Sequence, residues 1–144
     1  MLTGEFRSRT DADGRVLVPV EFRAELSDGA VVTRGIDRCV VIYPATKWST
    51  LAEDIEHKLP LTSRLGRAFS RLMFSGALDS VPDQEGWIRL PVPLREYAGL
   101  EDEAVVVGLF SHLEIWSPRC WQEMRSESVE DGAALAEELS EFGI

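Results

Sequence analysis

The sequence contains an internal duplication. Asp11 to Arg23 returns in altered form as Asp83 to Arg95, 72 positions later. The similarity continues downstream, where residues 35–48 match residues 108–121 after one inserted residue. Each copy is about half of a 144-residue chain, which is below the size at which a lone hydrophobic core is comfortably stable. We therefore expect each copy to be one supersecondary unit that packs against its twin.

The composition is that of a soluble globular protein, with 44% hydrophobic residues. No apolar run approaches the ~20 residues needed to cross a bilayer, and no charged-then-apolar leader is recognisable. We therefore expect a cytosolic protein without a membrane partner. Cys39 and Cys120 are expected to be reduced, partly buried thiols, because neither they nor His57 and His112 have metal-ligand spacing.

The net charge of −10 is unevenly distributed. Residues 1–100 carry 13 Lys/Arg and 14 Asp/Glu, whereas residues 101–144 carry 2 and 11. Since the acidity lies mostly in the final third, the rest of the chain could still present a basic face. The overall charge therefore does not exclude a polyanionic partner.

The Asp-x-x-Gly motif of each copy predicts a tight turn in which the glycine takes a positive φ. In the first copy, Glu5–Arg9 and Arg15–Val18 flank this turn and are expected to pair as a β-hairpin. Pro19 ends the second strand and suits the start of a short helix that carries Phe22 and Leu26.

Hydrophobic periodicity predicts the remaining elements. Strands are expected at Val31–Arg34, Val40–Tyr43, Trp87–Leu90, Ala104–Val107 and Leu113–Trp116. Helices are expected at Lys47–Leu59, around Leu65–Leu72, at Pro91–Ala98, from Trp121 toward Glu127, and in an acidic terminal segment with Leu135, Leu139 and Phe142. This order of elements predicts an α+β fold.

In order and spacing, these motifs resemble the MraZ family of bacterial transcriptional regulators. The resemblance rests on the paired Asp-x-x-Gly motifs, each followed by a strand, a proline and an arginine, and on Leu94–Leu100 and Glu114–Trp116. It implies two tandem AbrB-like swapped-hairpin modules, which form a double-split β-barrel with flanking helices. We place the modules at residues 1–50 and 76–121, the linking helices at 51–75 and an acidic helical tail at 122–144.

The resemblance also implies a function. It suggests a homo-oligomeric ring that binds double-stranded DNA and represses transcription at the nucleoid in the cytoplasm. The sites would be direct repeats upstream of a cell-division and cell-wall gene cluster, including the protein's own promoter. No cofactor, metal or small-molecule substrate is implied.

Three arginines of the first copy are the leading candidates for DNA contact. Arg7 and Arg9 are two residues apart and project from the same face of a strand, and Arg15 opens the strand across the turn. Guanidiniums in that position could hold phosphates or read guanine edges. By resemblance, Arg15 occupies the arginine position of the family's motif, with Asp11 and Gly14 supporting its turn. The alternative is a solvated hairpin with weak surface ion pairs.

The second copy departs from this pattern, because Trp87 stands where the first copy has Arg15. Arg89 lies two residues later on the same strand face. One hypothesis is that Arg89 supplies the missing charge for DNA contact, while Trp87 packs against a neighbouring subunit or stacks on a sugar. The other is that the second motif, with Asp83 and Gly86 in its turn, serves only as scaffold.

Arg64, Arg67 and Arg71 form a further basic stripe along one predicted helix. Such a stripe is usually a solvated face or an ion-pair partner for nearby acids, here Glu53, Asp54 and Glu56. DNA contact is the less favoured interpretation of this stripe.

Two rival functions remain open. The acidic tail is also compatible with an antitoxin-like regulator whose tail binds a partner protein. Trp87 and Asp13, which make the motifs less cationic, are compatible with a ring scaffold that has lost DNA binding. Catalysis is not expected, because the sequence has no phosphate-binding glycine loop, no zinc spacing and no clustered nucleophile and base.

Overall fold

The computed structural model describes residues 1–143, without the side chains of residues 127–130. The strands are β1 Leu2–Arg9, β2 Arg15–Leu17, β3 Ala30–Arg34, β4 Val40–Pro44, β5 Leu78–Asp79, β6 Trp87–Arg89, β7 Glu103–Phe110 and β8 Leu113–Trp116. The helices are α1 Val20–Leu26, α2 Ala45–Lys58, α3 Arg64–Ser75, α4 Val92–Ala98, α5 Pro118–Glu130 and α6 Gly132–Glu138, followed by a 3-10 helix at Leu139–Phe142. The predicted α+β class is confirmed.

Local sequence explains most helix boundaries. Pro19 and Pro91 directly precede α1 and α4, where a fixed φ suits entry into a helix. The hydroxyl of Ser63 accepts from Gly66 N at 3.1 Å and caps α3, and Ser117 caps α5 in the same way through Cys120 N at 3.2 Å. The predicted acidic terminal helix is divided between α6 and the 3-10 helix.

The strands form an antiparallel six-stranded sheet in the order β1-β7-β8-β4-β3-β5 and a separate two-stranded ladder of β2 and β6. β1 pairs with β7 from Leu2↔Phe110 to Arg9↔Glu103, and β2 pairs with β6. The predicted hairpin around the first turn is correct only at its tip, where Thr10 and Val16 form an isolated bridge. Both strands then find their main partners in the other copy.

Side chains alternate between the two faces of the large sheet. One face contributes Val32, Ile42, Val106, Leu113 and Ile115 to the main core, which is completed by α1, α4 and the β2–β6 ladder. Phe6 on β1 packs edge-on against Phe22 of α1, with ring centres 5.2 Å apart. The duplicated units therefore share one core, as predicted from the small size of each copy.

The opposite face of the sheet is covered by helices. Val41, Val105 and Trp116 pack there with Trp121 of α5, and Thr33 donates to the carbonyl of Met73 in α3 at 2.5 Å. None of the helices in the described residues has both the length and the hydropathy required to cross a bilayer.

Candidate nucleic-acid interface

The two Asp-x-x-Gly turns have the same backbone geometry. Oδ1 of Asp11 accepts from the amides of Asp13 and Arg15 at 3.0 and 2.8 Å. Oδ1 of Asp83 accepts from the amides of Glu85 and Trp87 at 2.9 and 3.0 Å. Each aspartate therefore organises its turn through two main-chain hydrogen bonds and keeps its Oδ2 for another partner.

The turn glycines are required by conformation, and a side chain at either position would also displace an arginine. Gly14 and Gly86 have φ values of 77° and 97°, a region that side-chain-bearing residues rarely adopt. A Cβ on Gly14 would overlap the guanidinium of Arg95, and a Cβ on Gly86 would overlap that of Arg23. Each turn is therefore packed beneath an arginine from the helix of the other copy.

Arg15 connects the two turns. Its Nε donates to Oδ2 of Asp11 at 2.7 Å, Nη2 lies 2.7 Å from the same oxygen, and Nη1 reaches Oδ2 of Asp83 at 3.3 Å. The hydrogen bond that its guanidinium donates to Asp11 is the main cause that raises the pKa of Arg15 above its usual value. The turn of Asp83 carries a tryptophan at the position equivalent to Arg15, and Asp83 pairs with Arg15 of the other turn instead.

Trp87 lies beneath two guanidiniums. The Cζ atoms of Arg9 and Arg15 are 5.5 and 5.6 Å from the centre of its ring. Attraction between a cation and the face of an indole is effective at such distances. Trp87 thus holds together two of the three predicted arginines of the first copy.

Arg89 and Arg7 complete the set of candidate residues. Arg89 is exposed and lies directly opposite Arg15 in the β2–β6 ladder. Arg7 is exposed on the same side of β1 as Arg9 and is paired in register with Val105. Within the described part of the chain, neither Arg7 nor Arg89 forms an ion pair, so both guanidiniums are open to an anionic partner.

Acidic groups reduce the charge of this surface mainly at Arg15. Its guanidinium is 38% exposed and lies against Asp11 and Asp83, with Asp13 farther away at 4.0 Å. Burial raises the pKa of Asp11, but hydrogen bonds from the amide and guanidinium of Arg15 outweigh this effect and hold it below its usual value. The cluster is therefore a fixed, partly neutralised arginine with freer cations around it.

Comparison with known proteins identifies the family. A family model described as "MraZ protein, putative antitoxin-like" matches residues 1–72 and again residues 73–142. The chain belongs to the MraZ family. It is 42% identical over 144 residues to a protein of Natranaerobius thermophilus named "Transcriptional regulator MraZ", with both chains fully covered. Proteins with the same name from Roseiflexus castenholzii and Halothermothrix orenii are 43% and 42% identical over 142 residues and cover 99% and 96% of this chain. The matches cover 99% of each of those two relatives.

Most residues predicted for the site of this MraZ-family chain lie near one another. Arg9 and Arg15 lie over the Trp87 ring and Arg89 lies opposite Arg15, whereas Arg7 lies one strand repeat farther along β1. Trp87 contacts arginines of its own chain, which is an arrangement that neither sequence hypothesis considered.

Sequence reasoning missed Arg23 and Arg95. Their Nε atoms donate to the carbonyls of Val18 and Leu90 at 2.8 and 2.9 Å, and each guanidinium covers a turn glycine of the other copy. The sequence does contain a signal for these two residues, because both copies have an arginine four residues after the proline that ends the strand. No group of three or more histidine, cysteine or acidic side chains in the described residues is placed to hold a metal ion.

Proposed function

We propose that the chain is a sequence-specific DNA-binding regulator of transcription that acts as a repressor. Its full-length relatives are named as regulators of transcription rather than as enzymes. The observation that carries the proposal is the partly exposed cluster in which Arg9 and Arg15 share the Trp87 ring and Arg89 faces Arg15 across the ladder. Arginine clusters of this kind match phosphates and guanine edges through paired hydrogen bonds.

Arg15 has the central role in this proposal. Two of its nitrogens are fixed by Asp11 at 2.7 Å, whereas the contact with Asp83 is longer, at 3.3 Å. Binding to DNA would exchange the longer contact for a phosphate or base oxygen and keep the Asp11 contacts. Because Asp11 already orients the guanidinium, little side-chain entropy is lost on binding.

Arg7, Arg9 and Arg89 would mainly contact phosphates. All three are exposed. Arg9 and Arg89 lie near Arg15, and Arg7 lies one strand repeat farther along β1, so the three could follow the backbone of one duplex. Contacts of this kind position a protein on DNA and make its affinity dependent on salt. Asp11, Gly14, Asp83 and Gly86 would hold the two turns that present these arginines.

The proposed architecture is two interleaved AbrB-like swapped-hairpin modules in a double-split β-barrel, at residues 1–50 and 76–121. Residues 51–75 would link them, and 122–144 would form the acidic tail. Exchange of partners between the copies, in which β1 pairs with β7 and β2 with β6, supports this interpretation.

Affinity would come from several subunits acting together. A homo-oligomeric ring would place one arginine cluster per protomer along the same duplex, so that individually weak contacts add through high effective concentration. The proposed targets are direct repeats upstream of the cell-division and cell-wall gene cluster, including the chain's own promoter. The protein would act in the cytoplasm, at the nucleoid.

Gel-shift titration of the gene's own upstream region tests this function. Arg15→Ala should weaken binding by about fivefold to 150-fold, since loss of one specific arginine contact costs about 1–3 kcal/mol. Arg119→Ala is the matched control, because it removes an exposed arginine of α5 that lies outside the cluster. Equal affinity for Arg15→Ala and wild type would overturn the proposal, once both are shown to be folded.

A second titration examines the role of the second motif. If Arg89 contacts DNA, Arg89→Ala should weaken binding and reduce its salt dependence. Unchanged affinity and salt dependence would leave the second motif as scaffold. A DNA fragment with one box should bind more weakly than a fragment with tandem boxes, and equal affinities would contradict action by several subunits together.

An antitoxin-like role is the second candidate. The description of the matching family model and the exposed acidic residues of α6 and the 3-10 helix favour it. Specific capture of one protein partner, lost when residues 131–144 are removed, would support this role. A ring that forms normally but does not shift its upstream DNA would instead support a scaffold.

A further inference from the structure

The outer surface of α3 is basic and apolar, and it lacks a partner within the described residues. Arg64, Arg67 and Arg71 lie on its exposed side, and Leu61 and Leu65 beside them are 83% and 81% exposed. None of these arginines forms an ion pair with a described carboxylate, so of the two sequence interpretations the structure agrees with the solvated face rather than with pairing to the acids of α2. Arg67 instead donates to the carbonyl of Leu61 at 2.8 Å.

The location of these arginines at the start of α3 adds to the positive potential of this surface. Arg64 and Arg67 lie in the first turn of α3, which contains no acidic residue. The amides at the start of a helix already carry partial positive charge, so cations there are unfavourable and an anionic partner is favoured. This surface is therefore suited to a segment that is both acidic and apolar.

The C-terminal segment has the complementary character. Residues 131–143 contain four acids and no lysine or arginine. The segment also exposes three apolar side chains at helical spacing. Leu135, Leu139 and Phe142 are 41%, 43% and 68% exposed. The acidic side chains of the segment are also exposed, and they are Asp131, Glu137, Glu138 and Glu141. The two surfaces carry opposite charge and both expose leucines, so they are complementary to each other.

We propose that the acidic segment of one protomer, residues 131–143, docks on the α3 surface of a second protomer. Leu139 and its apolar neighbours would pack against Leu61 and Leu65, while the acids would pair with Arg64, Arg67 and Arg71. Burial of the leucines would supply most of the affinity, and the charges would set orientation and partner choice.

The path of α5 indicates a second protomer rather than the same chain. α5 follows β8 and crosses β7 to reach β1, where Arg125 lies 3.6 Å from Glu5. α3 packs on β3, four strands away from β1, which is about 19 Å at ~4.8 Å per strand. α5, which precedes the acidic segment, therefore leads toward the edge of the sheet opposite to α3.

A contact between different surfaces of identical chains repeats from one protomer to the next. Such an arrangement closes into a ring or continues as an open chain, depending on the rotation between neighbours. The inference rests on the self-assembly part of the proposed function and does not depend on DNA binding.

Charge reversal in the full-length chain tests the docking. One variant carries Arg64→Glu and Arg71→Glu, and the other carries Glu137→Arg and Glu138→Arg. By size-exclusion chromatography with light scattering, each variant alone should shift from the wild-type assembly toward the mass of one chain, 16.1 kDa. Mixing the two variants should restore larger assemblies, because each supplies the charge that the other now requires. Arg119→Glu is the control and should keep the wild-type mass.

The outcomes separate the docking from the assembly itself. A wild-type oligomer whose mass neither variant changes would overturn the docking and leave the ring in place. A monomeric wild type would overturn both. If the α3 variant keeps its mass but loses affinity for DNA, α3 is a nucleic-acid surface and the docking is again overturned.

Discussion

The guanidinium of Arg15 lies 5.6 Å from the centre of the Trp87 ring, although the two residues occupy equivalent positions in the two copies. The difference between the two copies at this position therefore creates an intramolecular contact. If position 87 were an arginine, it could pair with Asp83 as Arg15 pairs with Asp11. With tryptophan there, Asp83 accepts from Arg15 at 3.3 Å, and both turns converge on a single guanidinium.

Replacing the indole should weaken both stability and DNA binding. Trp87→Ala removes the ring that holds Arg9 and Arg15, and we expect a loss of about 1–3 kcal/mol in the free energy of unfolding in urea. DNA affinity should fall as well, because the two arginines lose their fixed positions. Trp48→Ala is the matched control, since Trp48 packs on Tyr43 and Phe74 and lies outside the cluster. An equal effect of both variants on DNA affinity would contradict this role for Trp87.

The Asp11–Arg15 pair should make stability dependent on acid pH. The folded structure holds the pKa of Asp11 below its usual value, so ionised Asp11 stabilises the fold above about pH 4. That contribution is lost as the pH falls through the lower, folded-state pKa. When Tm is measured by thermal unfolding between pH 5 and about pH 2, it should fall less with decreasing pH for Asp11→Asn than for wild type. Parallel profiles would mean that the pair contributes nothing to folding.

The turn glycines should tolerate no side chain. Gly14→Ala and Gly86→Ala each combine a positive φ with overlap against an arginine, and each should cost more than about 1 kcal/mol in the free energy of unfolding. Gly99→Ala is the matched control, because Gly99 has a φ of 66° but no atom near its missing Cβ. Gly99→Ala should lower the free energy of unfolding by less than Gly14→Ala or Gly86→Ala does. Equal losses at all three positions would show that overlap with the arginines is unimportant.

The duplicated pattern predicted most individual elements, because turn motifs, helix-initiating prolines and apolar periodicity are local signals. β3, β4, β7 and β8 lie close to their predicted positions. Which strands pair with one another was harder to predict from the sequence. Val16 pairs with Ile88 rather than along a local hairpin, since the choice of partner depends on which faces the two copies bury together.

The candidate site was predicted in part for a similar reason. Alternation along β1 placed Arg7 and Arg9 on one face, as the register with β7 shows. The contacts of Trp87 with Arg9 and Arg15 depend on the second copy lying beside the first, and no pattern within one copy contains that information. Arg23 and Arg95 recur at equivalent positions, but their contact with a turn glycine of the other copy depends on how the two copies pack, which neither copy's sequence contains.

The salt dependence of DNA binding tests the central claim most directly. The dissociation constant for DNA with tandem boxes is measured by fluorescence anisotropy over a range of salt concentrations, for wild type and for Arg15→Ala. If the arginine cluster contacts the duplex, Arg15→Ala should bind more weakly and give a shallower slope of log Kd against log salt, because fewer counterions are released. Superimposable lines for the two proteins would contradict the account.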